Sequence, residues 1–196
     1  MSTSTPNLNA QQILVPSRIA LWLGAVGSVF PTTATEAPAA AFKHVGHTTE
    51  DSLNFETSPE FDQFRSAQSD YPVLDFQTSD GASLQIDMAQ WNTRNLTAAF
   101  GGGTVEAVEG STGTYKFTPP RIGGREELAA IVDVTMGAKH YRFCYFRCSQ
   151  NEGVSLGINK GAASILPLRL NILGNDEGDP FIMLTDDPAF QTALGG

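Results

Sequence analysis

The sequence predicts a mainly β fold carrying one short flanking helix, and three observations support it. Residues 19–23, 84–88 and 166–172 place apolar side chains at alternate positions, the repeat of a strand with one buried face. A helical repeat is clearest at residues 92–101. A composition of 41% hydrophobic and 17% charged residues, with 19 glycines, 11 prolines and 12 phenylalanines, fits a turn-rich β protein better than a helical bundle. At 196 residues the chain suits one domain, placed at 13–190, with an arm at 1–12 and a tail at 191–196.

Residues 1–12 are rich in Ser, Thr and Asn and lack any period, which reads as a mobile arm. Residues 19–30 resemble a signal-peptide core, but their flank is long and polar with a single Arg18, and Ile19, Leu21 and Leu23 alternate as in a strand. No run approaches the ~20 apolar residues of a membrane span. Residues 31–41 form a Thr/Ala/Pro loop, and Gly46 and Asp51 mark turns between short strands. Residues 57–69, with Phe61 and Phe64, read as a short helix or irregular connection after Pro59.

Residues 71–77 form a strand, and Ser79-Asp80-Gly81 a tight turn into the strand at 83–89. Leu74 and Phe76 are expected to bury one side. Asp75 and Gln77 face outward and, with Gln85 and Asp87, make a polar, acidic sheet surface. Asn92 or Thr93 caps the helix, Leu96, Ala99 and Phe100 share a face, and Gly101 supplies the left-handed stop. So short a helix requires a sheet beneath its Leu96/Phe100 stripe. Phosphate-cradling glycines precede a helix, whereas Gly101-Gly102-Gly103 follow this one at its negative end, so they read as a stop.

Residues 104–108 and 114–118 are two strands, the second ended by Pro119 and Pro120. The strongest hairpin joins 128–135 to 139–148 through Met136-Gly137-Ala138. Its second strand has bulk on both faces, with Tyr141, Phe143 and Tyr145 opposing His140, Arg142, Cys144 and Phe146, as for a strand lying between a core and a partner. Residues 164–173 set Leu166, Leu168, Leu170 and Ile172 against Ile165, Arg169 and Asn171. Residues 175–179 form an exposed acidic turn without calcium-loop ligand spacing, and 181–184 a last strand.

Twelve Lys and Arg against 21 Asp and Glu give a net charge of −9, which repels phosphate backbones and argues against tight nucleic-acid binding. Cys144 and Cys148 in one strand lie roughly 13 Å apart, beyond disulfide reach, and free thiols suit maturation in a reducing cytoplasm. No metal or other cofactor is expected. His44 and His47 point to opposite faces of an extended segment, and His140, Cys144 and Cys148 share a face but are spread too far along it. No catalytic residues are expected either: the adjacent pairs Glu50/Asp51 and Asp186/Asp187 point apart and cannot flank one bond, and no nucleophile–histidine arrangement stands out.

Four ordered blocks carry a family resemblance: residues 45–51 (VGHTTED), 84–103, 115–120 and 180–190 (PFIMLTDDPAF). In this order they resemble the major tail, or tail tube, proteins of long flexible-tailed bacteriophages, particularly those infecting actinobacteria. The resemblance implies a β-sandwich or partly closed barrel with a helix on its flank. It also implies six-membered rings that stack into a tube for genome delivery, in a virion assembled from protein made in the host cytoplasm. The implied partners are further copies of the chain, tape-measure protein, and tail-terminator or distal tail proteins. DNA would pass without specific binding, and no membrane would be engaged. Within such a tube Asp75, Gln77, Gln85 and Asp87 are the candidate lumen-lining residues, because carboxylates repel passing phosphates. The alternative is a β-rich virion decoration or adhesin protein.

Overall fold

The computed structural model describes residues 10–175 and 178–194. Among the described residues ten strands and one α-helix follow in the order β1 (Arg18–Ala25), β2 (Lys43–His44), β3 (Asn54–Arg65), β4 (Pro72–Met88), α1 (Thr93–Phe100), β5 (Thr104–Ala107), β6 (Tyr115–Thr118), β7 (Glu127–Met136), β8 (Lys139–Ser149), β9 (Leu166–Leu173) and β10 (Phe181–Thr185), with 3-10 helices at Ala10–Gln12 and Pro188–Leu194. Eight strands form one antiparallel sheet ordered β2-β1-β7-β8-β9-β4-β3, with β10 also on β8, while β5 and β6 pair separately. The fold is thus mainly β with one short α-helix. Most of the arm at 1–12, part of the acidic turn at 175–179 and the end of the tail lie outside the described residues.

β8 forks. Its residues 141–145 pair with β10 and 147–149 with β9, so the β9-β4 portion folds over the β1-β7-β8 portion. Leu21 and Leu23 of β1, Val132 and Val134 of β7, Leu84, Ile86 and Met88 of β4, and Leu166, Leu168 and Leu170 of β9 close one core between them. Each fully buried side chain of this kind stabilises the fold by about 1.5–3 kcal/mol. The predicted alternations therefore point where expected in β9 and at residues 84–88 of β4, and in β1 for Leu21 and Leu23, whereas Ile19 is exposed.

The helix is built as its sequence suggests. Asn92 accepts a hydrogen bond from the Asn95 backbone N–H at 3.0 Å, and Gly101 ends the helix at φ 71°. Ala98 and Ala99 are buried, with Leu96 and Phe100 packed against the core. Asn95, not anticipated, is fully buried and donates to the Val45 carbonyl at 2.7 Å and the Gln90 carbonyl at 2.8 Å, which pins the helix to the β2 exit. The β5-β6 pair hangs from the helix end through a Phe100–Phe117 ring contact.

Several expectations are corrected. Residues 57–65 are neither a helix nor an irregular connection but part of the twelve-residue strand β3, and only 66–69 are irregular. Asp80 and Gly81 do not turn the chain but sit inside β4, opposite Pro59 and Ser58, and the hairpin instead turns between Arg65 and Pro72. The glycine served there as a turn signal, but a glycine inside a paired strand leaves the ladder intact when the partner strand continues. Leu74 and Phe76 are exposed rather than buried.

The second face of β8 is covered by the chain's own 30–42 segment, not by a partner. Phe42 packs with Ala129, Ile131 and Cys144, and Phe30 stacks on Phe42 and Phe146. Arg142 fastens this cover. It is buried, grips both oxygens of Asp133 at 2.6 and 2.9 Å, and donates to the carbonyls of Thr33 and Glu36. His140, Cys144 and Cys148 do not share a face either. Leu128 pairs with Cys148 but Ala130 with Tyr145, so an extra residue in β8 reverses its alternation and sends Cys148 into the main core.

Candidate assembly surface

The part of the molecule left without cover is the β3–β4 hairpin. β4 pairs with β9 only from Ser83 to Met88; over residues 72–82 its sole neighbour is β3. Both long edges of the hairpin's outer part are therefore open, and every residue of β3 is exposed. Only the base touches the body, where Phe55 meets Tyr145 and Phe181 at ring-centroid distances of 5.9 and 5.1 Å. Further out, Phe61, Phe64, Val73, Leu74 and Phe76 are all exposed, more apolar surface than a lone hairpin ordinarily shows to water.

The pairing register decides which side chains share a face. Phe55 opposite Leu84 marks the side that continues from the core. Glu60 pairs with Ser79 but Phe61 with Gln77, leaving Thr78 as an extra residue in β4. Beyond that bulge the alternation of β4 reverses, as a one-residue slip requires. The four candidate lumen residues are consequently divided. Asp75 and Gln77 continue the side of Leu84, whereas Gln85 and Asp87 lie on the opposite side with Glu56, Ser58, Glu60 and Ser83. Glu60 and Ser79 confirm the second grouping, since the Ser79 hydroxyl donates to the Glu60 carboxylate at 2.8 Å. Toward the tip the same side carries Asp62, Phe64, Leu74 and Phe76.

Asp87 is not a free carboxylate. It pairs with Arg169 of β9 at 3.0 Å, which offsets its charge. The arm itself is acidic: residues 54–80 hold Glu56, Glu60, Asp62, Asp70, Asp75 and Asp80 against Arg65 alone, so five of the chain's nine net negative charges fall here. None of the five ion pairs among the described residues involves an arm carboxylate.

The remaining titratable clusters are structural. Asp187 is buried, accepts hydrogen bonds from the Tyr141 hydroxyl, the Ala189 N–H and Lys139, and is held down to about 2 by them, Tyr141 first. This clamp fixes the chain after β10 onto β8, with Phe190 stacked on Tyr141. Cys144 and Cys148 are unbridged and buried, and burial pushes their thiols up to about 11 and about 12. Such thiols are poor nucleophiles. No group of three or more metal-ligating side chains occurs among the described residues, and none of their helices is long and apolar enough to cross a membrane.

The sequence missed the arm as a unit because the Asp-Gly pair imitated a turn and the bulge at Thr78 has no composition signal. The one available sign was the run of aromatic and β-branched residues at 55–64 and 71–76, which exceeds what a connection needs.

No curated protein matches the chain. A family model described as phage tail tube protein matches residues 6–195, nearly the whole sequence. The chain therefore belongs to the phage tail tube protein family, the structural proteins of the virion's tail tube.

Proposed function

We propose that copies of this chain close into rings that stack into the tube of a long, flexible-tailed phage, and that the genome passes along the bore during delivery to the host. The uncovered β3–β4 arm carries this reading. A hairpin with two open edges and five exposed large apolar side chains is unfavourable on a monomer and becomes favourable once neighbouring copies cover it. Contact between different surfaces of successive copies does not close, and so builds a filament. The ring number of six, the actinobacterial host, cytoplasmic synthesis, and the tape-measure, terminator and distal tail partners rest on the family resemblance of the four sequence blocks.

For the bore wall we take the side of β4 that faces away from the core, with Gln85, Asp87 and Glu56, rather than the side of Asp75 and Gln77, which continues from Leu84. Glu56 supplies the net negative charge, since Asp87 is offset by Arg169. Polynucleotide sliding past such a wall meets repulsion instead of adhesion.

Negative-stain microscopy of the purified protein tests the reading. Rings or hollow tubes are expected; discrete particles that decorate capsids or fibres would favour the decoration or adhesin alternative. Lysines at Glu56 and Gln85 are expected to slow genome ejection from virions while tubes still form, and unchanged ejection would remove those residues from the bore.

A further inference from the structure

The β5–β6 hairpin hangs from the body by a narrow waist. Its two strands form a sheet of their own, and its tip closes on itself: the Val108 N–H donates to the Thr114 carbonyl at 2.9 Å and the Ser111 N–H to the Val108 carbonyl at 3.1 Å. Within residues 104–124 only Val105, Phe117 and Pro120 are half-buried, and every other residue is exposed. Val105 pairs with Phe117, so both lie on one face, and Phe117 meets Phe100 at a ring-centroid distance of 5.1 Å. The apolar attachment is thus a small patch centred on one ring.

The body holds the chain immediately before and after this unit. The Gly101 and Gly102 N–H groups donate to the Ala98 and Thr97 carbonyls at 3.1 and 2.7 Å, the Glu126 N–H donates to the Gly101 carbonyl at 2.9 Å, and Arg125 donates to the Gln150 carbonyl. Between these pins and the hairpin stand Gly103 on the way out, at φ 105°, and Gly123-Gly124 on the way back, Gly123 at φ 78°. Glycine visits such φ values without steric cost, and other residues do not. A Cβ at Gly103 would lie 2.6 Å from the Thr118 carbonyl oxygen, so the outgoing and returning chains run directly against each other there. Short connectors of this kind absorb the backbone rotation when one part of a protein swings on another.

We infer that the β5–β6 hairpin is a flap that swings as one piece about Gly103 and Gly123-Gly124, with the Phe117 ring on Phe100 as the latch that holds it down. Such a swing does not depend on ring or tube formation. Opening breaks the ring contact and leaves the helix cap, the Arg125 grip and the main core as they are. A neighbour touching the flap can therefore tilt it without disturbing the core.

Residual dipolar couplings of the dissociated chain test the flap, because they sense motion up to milliseconds and a piece that swings as a unit keeps one common, reduced scale. In the unaltered chain residues 104–118 are expected to hold at least about 0.85 of the body's scale, and in Phe117→Ser to fall together below about 0.6, with the body's own couplings unchanged. A lone two-stranded hairpin is marginal in water, so fraying must be told apart from swinging. Glu106 and Lys116 face each other across the pair, and Glu106→Cys with Lys116→Cys supplies a disulfide staple between them. In the stapled Phe117→Ser chain the couplings of 104–118 are expected to stay low as a set. Tyr115→Ser, at an exposed position outside the ring contact, is expected to leave them on the body's scale. If Phe117→Ser leaves the flap on the body's scale, or the staple restores that scale, the hinge is overturned; an equal fall in Tyr115→Ser overturns Phe117 as the latch.

Discussion

The two ends of β4 are built alike and placed differently. Leu84, Ile86 and Met88 alternate with polar residues, and so do Leu74 and Phe76; the first set is at most 1% exposed, whereas Leu74 is 58% and Phe76 45% exposed. What separates them is cover. The inner end lies beneath β1 and β7 with β9 beside it, and the outer end has only β3. An apolar stripe on a strand thus records that something will pack there, without saying whether that layer comes from the same chain or from another copy. In the body the layer is internal, and in the arm we propose that it is external.

The contrast can be broken at several points, with the strongest effects in the body. Leu168→Ala removes a fully buried side chain at the centre of the two layers and is expected to cost about 3 kcal/mol in chemical denaturation of the dissociated chain. Arg142→Met strands the Asp133 carboxylate and frees the 31–41 loop, with an expected loss of about 2 kcal/mol and faster proteolysis within that loop. Asn92→Ala removes the helix cap and is expected to cost about 1 kcal/mol by the same measurement. In the arm, Phe64→Ser with Phe76→Ser is expected to change stability by less than about 0.5 kcal/mol yet abolish tubes in negative stain. A large loss of stability in that variant would mean the arm packs on its own body, and the comparison would fail.

A smaller and local effect concerns the clamp after β10. The Asp187 carboxyl is lowered from 3.8 to about 2 by Tyr141, the Ala189 N–H and Lys139. A depressed folded-state value means that its contribution is complete above the ordinary value and lost as the pH falls through the folded one. The Ala189 amide resonance is therefore expected to hold its folded position above pH 4 and shift between pH 3.8 and about 2. A shift already complete before the pH falls to 3.8 would overturn that assignment.

Much of the body was legible because local rules and tertiary packing agree there. Leu166 to Ile172 alternate and are buried in alternation; Asn92 and Gly101 cap the helix they bracket; Gly137 turns the hairpin it was expected to turn. The candidate bore residues were legible only as polar strand positions. Their grouping was not, because one unpaired residue at Thr78 moves Asp75 and Gln77 to the other side from Gln85 and Asp87. A bulge is a two-strand property: it depends on the partner's spacing, which neither segment encodes alone. The same reasoning explains Cys144 and Cys148, four residues apart yet in different cores.

By itself the sequence determined the class of fold, the helix and its ends, the strong hairpin, the excess negative charge and the family resemblance, since each of these follows from short-range periodicity, capping chemistry, composition or ordered local blocks. Tertiary structure decided that Asp80-Gly81 continues a strand, that the 31–41 loop covers β8, and that residues 54–80 stand out as an uncovered acidic arm. Those outcomes depend on which segments lie beside one another after folding, and burial is a property of neighbours that no single stretch of chain contains.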